Sequence, residues 1–215
     1  MHRSFPFQPS QHSQLWRSRL LKTLAFVMLC LWPLGCATSP PTKFYLLSPV
    51  PAPSLETADT QGGQPTIIRV DAVVIPGYLD RNEIVTRVSE NEIRLADLNQ
   101  WGEPLRDSLT SILALNLSRL LPAKGFAIFP FKCPSPMDYQ LSVEIVRMDG
   151  NLNGDVHLTA QWSFLRSKKN HIVVTRKSRF KASKSPRGYS ELVASQSRLL
   201  EALSREIAKS IQADI

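Results

Sequence analysis

One central stretch sets the fold: residues 139–165, which read YQLSVEIVRMDGNLNGDVHLTAQWSFL. Apolar and polar side chains alternate over residues 139–146 and again over residues 157–165, a pattern typical of strands that bury one face. Between these runs, residues 149–154 consist of aspartate, asparagine and glycine around one leucine, and this composition favours a tight turn. Residues 172–180 alternate in the same way after a second polar turn. We therefore predict an antiparallel meander of three strands.

Two other stretches have the periodicity of amphipathic helices. Over residues 102–121, leucines and isoleucines recur every three or four positions and form one apolar stripe. Pro104 suits the first turn of this helix, where a missing N–H costs nothing. A second stripe runs over residues 189–213. Because both stripes need an apolar partner, we predict an α+β domain: a single, mainly antiparallel sheet with two amphipathic helices packed on one face.

Further strands are predicted ahead of the first helix. Residues 66–75 alternate as a half-buried strand does, and Pro76 and Gly77 end the run. Residues 84–88 and 92–96 are separated by serine, glutamate and asparagine, which indicates a hairpin. The predicted order of elements is therefore strands, helix, strands, helix.

The first 35 residues have the layout of a bacterial lipoprotein signal. Basic residues come first, an apolar run over residues 24–34 follows, and Gly35 and Cys36 end it. This run is about half the ~20 residues that a membrane-spanning helix needs, and it fits the apolar region of a signal peptide. We expect cleavage after residue 35 and lipidation of Cys36.

The signal departs from the usual pattern at two positions. Pro33 and Leu34 stand where such signals carry a leucine and a small residue, whereas Cys30, the competing cysteine, follows a leucine and fits less well. In lipoproteins of enterobacteria, an aspartate after the lipidated cysteine retains the protein at the inner membrane. The resemblance to these signals therefore implies, through Ala37, an anchor in the outer membrane with the domain at its periplasmic face.

We divide the chain into three parts on this basis. Residues 1–35 are the signal peptide, and residues 36–65 are a lipidated cysteine and a flexible, proline-rich tether. A short apolar island within the tether, residues 43–47, is predicted to join the sheet as a strand. Residues 66–215 form the folded domain, which is long enough for one core.

Charge and cysteine content narrow the classes of function. Four of the 26 lysines and arginines, and none of the 18 acidic residues, precede Cys36, so cleavage lowers the net charge from +8 to +4. That charge and a periplasmic address argue against nucleic acid as a partner. Cys133 is the one cysteine left beside the lipidated one, so we expect no disulfide framework.

Catalytic and metal-binding patterns are hard to find in this sequence. His157 and His171 lack a second histidine and a carboxylate at helical spacing, so we expect no zinc site. Asp149 and Asp155 flank two asparagines, but the terminal glutamate of a calcium loop is missing, and turn formation explains them better. We therefore expect no cofactor and no enzymatic activity.

Basic residues concentrate in residues 166–187, where nine lysines and arginines occur without an acidic residue. One interpretation is a solvated sheet edge that lysines protect against aggregation. The other is a contact with anionic lipid head groups or with an acidic partner. The sequence leaves both interpretations open.

Three motifs carry a resemblance to a known family. They are PGYLDRNEIVTR at residues 76–87, QWGEPL at residues 100–105 and LSREIA at residues 203–208. With the lipoprotein signal, these motifs resemble the PqiC family, the auxiliary lipoproteins of MCE-type (mammalian-cell-entry) ABC lipid transporters. The resemblance covers nearly all of the mature domain.

The resemblance implies a non-catalytic domain, anchored in the outer membrane, that docks to a PqiB-like MCE-domain protein and supports envelope integrity. It leaves open whether the domain works as a homo-oligomer. Among the motif residues, Tyr78, Arg81, Arg87 and Trp101 are candidate partner contacts, whereas we expect Asp80 to fix the turn as a cap or in an ion pair. The alternative is a lipopolysaccharide or outer-membrane assembly lipoprotein that acts with a β-barrel.

Overall fold

Eight strands and two long helices make up the part of the chain that the computed structural model describes. The described residues are 22, 39–52, 64–122, 125–132, 136–169, 171–182 and 185–215. The signal peptide apart from Lys22, the lipidation candidate Cys36 and the lone thiol of Cys133 lie outside them. The described residues from Pro41 onward pack as one unit.

The elements take their boundaries from the prolines, glycines and apolar runs noted above. In chain order they are β1 (Lys43–Tyr45), β2 (Thr66–Val70), β3 (Glu83–Arg87), β4 (Ile93–Trp101), α1 (Leu105–Leu120), β5 (Phe126–Pro130), β6 (Tyr139–Gly150), β7 (Val156–Arg166), β8 (His171–Ala182) and α2 (Tyr189–Asp214). A single 3₁₀ turn, Ser167–Lys169, joins β7 to β8. The predicted meander is confirmed as β6, β7 and β8, and both predicted helices are present.

The strands form two mixed sheets, which corrects the prediction of a single, mainly antiparallel sheet. One sheet has the order β5-β2-β6-β7-β8 and the other the order β1-β4-β3. Strand β2 runs parallel to both β5 and β6, and β1 runs parallel to β4. Parallel neighbours need a long crossover, and α1 lies in the connection from β2 to β5. The alternation of apolar residues indicates which face of a strand is buried, but it does not indicate whether the neighbouring strand is parallel or antiparallel. The parallel pairs were therefore not predicted from the sequence.

The two helices pack against each other and against the five-stranded sheet, α1 over β5 and β2 and α2 over β7 and β8. Alternate residues of β6 and β7 point into this layer and are almost fully buried, including Leu141, Trp162 and Phe164. The indole Nε1 of Trp162 donates to Ser178 Oγ at 3.0 Å, and that hydroxyl donates to a carboxylate oxygen of Glu206 on α2. The opposite face of the sheet, which we call the outer face, carries polar side chains.

Packing begins well before residue 66. Leu47 and Val50 are buried, and residues 48–50 are held to the helices by hydrogen bonds. Val50 N donates to Asn116 Oδ1 on α1 at 2.8 Å, and Ser48 N donates to Ser197 Oγ on α2 at 3.0 Å. Residues 41–50, which we call the N-terminal clip, are therefore part of the packed unit.

Candidate interaction surface around Asp149

The turn at residues 76–82 brings the first family motif to one end of the five-stranded sheet. The side chain of Leu79 is buried in the core, and Leu79 N donates to Pro76 O at 2.9 Å. Asp80 forms an exposed ion pair with Arg106 on α1 at 2.6 Å, so the expected role of Asp80 in an ion pair is confirmed. The turn thus brings Tyr78, and β3 brings Arg87, to the end of β6.

Asp149 is the centre of the site. Its carboxylate is buried, and its Oδ2 accepts hydrogen bonds from Tyr78 Oη at 2.9 Å and from Arg87 Nε and Nη2 at 3.0 and 2.8 Å. Its Oδ1 accepts from Arg147 Nε at 2.8 Å. The Arg87 guanidinium also lies 5.8 Å from the centre of the Tyr78 ring. We call these four residues the Asp149 cluster; it joins β3 of one sheet to β6 of the other.

The pKa values of the cluster follow from this geometry. Burial alone would raise the pKa of Asp149, but the hydrogen bonds from Arg87, Arg147 and Tyr78 outweigh burial and lower it below its usual range. Burial, together with the Asp149 charge, raises the pKa of Tyr78 to about 12. The hydrogen bond to Asp149 raises the pKa of Arg87 above its ordinary value.

The charges of the cluster do not cancel. Two guanidinium groups face one carboxylate, so the cluster carries a net charge of +1 when Tyr78 is neutral. The side chains of Arg87 and Arg147 keep 22% and 38% of their surface exposed, whereas Asp149 keeps none. The exposed side of the cluster is therefore positive and can accept a carboxylate or another anionic group.

The four candidate contacts from the sequence have different environments. Tyr78 and Arg87 meet at Asp149, as described. Arg81 is half-buried, and its Nε has no hydrogen-bond partner among the described residues. Trp101 lies in the core with 7% of its surface exposed, at the end of β4 just before α1.

Sequence reasoning missed the role of Asp149, which it assigned to turn formation. A signal was present: Arg147 and Asp149 stand two residues apart and so share a face of β6. The close pairing of β6 with β7 depends on the next residue, because a Cβ on Gly150 would come within 2.9 Å of Val156 Cγ2. Asp149 is thus the buried acceptor at the end of β6, and the turn follows at residues 151–155.

A second charged surface lies on the outer face at β8. This strand pairs only with β7 within the described chain, so it is an edge strand there. Lys177, Arg179 and Lys181 alternate along it on the outer face, opposite the uncharged Gln161 and Thr159 and the side chain of His157. Lys181 is paired with Asp155 at 2.7 Å. We call residues 175–181 the basic edge.

The outer face also has a shallow depression of about 360 Å³. Polar and apolar side chains both line it, and Asp71 organises the polar part by accepting from Arg69 Nε at 2.9 Å, Gln140 Nε2 at 2.5 Å and Ser142 Oγ at 2.7 Å. Within the described ranges, no three histidine, cysteine, aspartate or glutamate side chains converge as a metal site would require. None of the helices in this part of the chain is long and apolar enough to cross a bilayer.

Two solved structures of other proteins have a fold similar to that of this chain. A solved structure of an uncharacterized protein superposes with a TM-score of 0.66 at 23% identity, covering 80% of this chain and 99% of that one. A protein from Xanthomonas campestris superposes with a TM-score of 0.63 at 16% identity, covering 80% and 98%. At these identities the likeness concerns the fold.

Sequence comparison identifies the family. The intermembrane transport lipoprotein PqiC of Escherichia coli is 27% identical over 175 residues, which cover 80% of this chain and 88% of that protein. The model of the family described as ABC-type transport auxiliary lipoprotein component matches residues 45–208, which include the clip from Tyr45 onward, both sheets and most of α2. The chain therefore belongs to the ABC-type transport auxiliary lipoprotein component family.

Proposed function

We propose that this protein is a periplasmic accessory lipoprotein of an MCE-type ABC lipid transport system, anchored in the outer membrane through acylated Cys36. In this role it docks to a PqiB-like MCE-domain protein and supports envelope integrity, and it performs no catalysis. The observation that carries the proposal is the family match over residues 45–208, together with the similarity to an intermembrane transport lipoprotein over most of both chains.

The positive side of the Asp149 cluster is the docking surface that we propose. Arg87 and Arg147 leave one positive charge uncompensated at the end of β6. Arg81, in the same motif as Tyr78 and Arg87, adds a half-buried guanidinium whose buried Nε has no partner among the described residues. An acidic segment of the partner could supply carboxylates to the exposed parts of these arginine side chains. Tyr78 and Trp101 then support the surface from inside: Tyr78 hydrogen-bonds Asp149, and Trp101 packs in the core.

Co-purification tests the proposal directly. The full chain, with an affinity tag after the exposed Ile215, is expressed in its own host, crosslinked in intact cells and purified from membranes. We expect an MCE-domain protein to be the main partner identified by mass spectrometry. A clean purification that contains no MCE protein, permease or ATPase of such a system would contradict the proposal.

A pair of charge reversals tests the surface. Arg81→Glu should reduce recovery of the MCE protein several-fold, since it replaces a positive hydrogen-bond donor by a negative charge that repels the acidic segment proposed for the partner. Arg205→Glu is the matched control, because Arg205 is exposed on α2 and pairs with Glu201. Thermal unfolding of both variants shows that each has folded. Equal recovery with both folded variants would place the docking surface elsewhere.

The anchor has its own test. Mass spectrometry of the mature N-terminus should find residue 36 as the first residue, carrying acyl chains. Outer-membrane fractions should contain the protein, and Cys36→Ser should release it. An unmodified Cys36 would remove the membrane assignment and leave the docking experiment valid.

A further inference from the structure

The outer side of the three-stranded sheet carries an apolar surface that the proposed function does not use. Phe44 and Leu46 are 64% and 59% exposed, which is unusual for such large apolar side chains. Three more exposed apolar side chains lie on β4: Ile93, Leu95 and Leu98. We call these five residues the apolar strip.

Strand register places members of the strip on one face. Phe44 lies opposite Gln100, and Leu98 stands two residues from Gln100 on β4. Glu83 and Val85 stand two residues apart on β3 and therefore share a face. Glu83 pairs with Gln100 and Val85 pairs with Leu95, so Leu95 lies on the same face as Gln100 despite the irregularity in β4 between these pairs. Ile93 follows by the same alternation. The strip is therefore a row of apolar side chains on one face, which Gln100 and Glu83 interrupt and which ends beside Arg87 of the Asp149 cluster.

The other side of β1 is fixed to the core, so the strip has a defined position. Tyr45 points inward and donates from its hydroxyl to Asn99 Oδ1 at 2.9 Å, while its carbonyl accepts from Gly102 N at 2.8 Å. Leu47 and Val50 are buried immediately afterwards. Phe44 and Leu46 consequently stay exposed because the residues that alternate with them are already packed.

The short distance between β1 and Cys36 favours the membrane as the binding partner of this surface. This step rests on the proposed acylation of Cys36. Only six residues separate Cys36 from Lys43, the first residue of β1. A fully extended chain of that length spans at most about 25 Å, so an acylated cysteine would keep β1 within that distance of the head groups.

We propose that the apolar strip is the membrane-contacting face of the protein, seated in the head-group region of the bilayer that holds the acyl chains. An aromatic side chain, leucines and an adjacent lysine, Lys43, are a composition that favours the membrane interface. The strip acts as a second contact beside the acyl anchor.

Lipid-quencher accessibility tests the proposal. The mature, acylated chain is prepared in a Cys133→Ser background with single cysteines at Phe44, Leu46 or Leu95, each labelled with an environment-sensitive fluorophore. Leu115→Cys is the control, because Leu115 on α1 has the same exposed fraction as Leu95, 37%, but lies on the helical layer. The proteins are reconstituted into phosphatidylethanolamine and phosphatidylglycerol vesicles that contain nitroxide-labelled lipid.

We expect several-fold stronger quenching and a blue-shifted emission at positions 44, 46 and 95 than at position 115. A Phe44→Ser, Leu46→Ser double variant should lower the quenching at position 95 while its thermal unfolding stays unchanged. Equal quenching at the strip and at Leu115 would overturn the proposal. So would shielding of the strip by a second copy, which crosslinking between cysteines at position 44 would reveal.

A second preparation separates this proposal from the anchor. Residues 1–36 are replaced by a hexahistidine sequence, and the vesicles carry a nickel-chelating lipid, so the packed unit is tethered near β1 without acylation. The strip proposal predicts the same pattern of quenching here. If Cys36 is unacylated in cells but the strip is still quenched more strongly than Leu115, only the proposed acyl anchor is contradicted. If neither preparation shows stronger quenching at the strip, the proposed membrane contact of the strip is contradicted.

Discussion

At the scale of single residues, Asp149 decides most of what is particular to this site. It is a fully buried carboxylate with four hydrogen bonds from two arginines and one tyrosine. The sequence could supply the motif containing Tyr78 and Arg87 but not their meeting point, because Asp149 is more than sixty positions away from both. The one local signal is Arg147, which stands two residues before Asp149 and shares its face of β6.

Replacing the Asp149 carboxylate should lower the stability of the fold, because it leaves the two arginines of the cluster unpaired. Asp149→Asn leaves two guanidinium groups without their counter-charge, and we expect a loss of about 3 kcal/mol in the free energy of unfolding. Asp80→Asn is the control, since the Asp80–Arg106 pair is exposed and its loss should cost less than about 1 kcal/mol. Urea unfolding measures both. Equal effects of the two substitutions would contradict the assignment of Asp149 as the buried centre.

The stability should also depend on pH through this cluster. The pKa of Tyr78 rises from 10.0 to about 12 on folding, so the folded chain holds this proton more tightly. Its contribution to stability is therefore complete below pH 10 and is lost as the pH rises towards 12. Tyr78→Phe should remove the part of that alkaline loss that Tyr78 causes, and tyrosinate absorbance should show one fewer late-titrating tyrosine in the variant, because burial also raises the pKa of Tyr189. An identical alkaline profile in both proteins would refute the role of Tyr78.

At the scale of elements, the N-terminal clip shows where sequence reasoning stopped. Prolines at positions 40, 41, 51 and 53 suggested a tether through residue 65. The structure packs β1 against β4, and it buries Leu47 and Val50 under both helices. Proline-rich flanks set the local backbone but do not reveal that the residues between them have partners more than fifty positions later, on β4 and on both helices.

Asn116 is the residue that ties the clip to the helical layer. Its Oδ1 accepts from Val50 N at 2.8 Å, and its Nδ2 donates to Ser204 Oγ of α2 at 3.1 Å, all of them buried. Asn116→Ala should cost about 2 kcal/mol, since it leaves a buried N–H without an acceptor. It should also speed proteolysis within residues 41–50.

Ser118→Ala serves as the comparison for Asn116, because Ser118 is an exposed residue of the same helix that bonds only to Leu115 O. Urea unfolding and timed proteolysis with mass spectrometry give both readouts. If the clip of the Asn116 variant is cleaved no faster than that of the Ser118 variant, the clip is held by other contacts.

At the scale of the whole molecule, the fold leaves one sheet face and the edge of β8 uncovered by the described residues. The outer face could be inferred from the alternation in β6, β7 and β8, and so could the choice of which face the helices cover. A sheet edge was one of the two interpretations of the basic residues at 166–187, and the strand order makes β8 an edge strand within the described chain, because β6, β2 and β5 all lie on the other side of β7. Once β8 is an edge strand, its charges acquire a physical role.

The basic edge should protect this strand against pairing with other chains. A strand of twelve residues with an unpaired edge is a template for aggregation, and charged side chains counter it. Replacing Lys177, Arg179 and Lys181 by threonine, which favours strands, should change the free energy of unfolding by about 0.5 kcal/mol or less per residue. Light scattering should nevertheless detect oligomers at concentrations where the unmodified protein stays dispersed.

The control for this edge variant removes equal charge elsewhere. Arg198, Arg205 and Lys209 are exposed on α2, and their replacement by threonine lowers the net charge by the same amount without touching a sheet edge. If both triple variants aggregate equally, general loss of charge is responsible and the edge has no special role. If only the β8 variant aggregates, and added salt makes the unmodified protein behave similarly, the charges act by repulsion along the open edge.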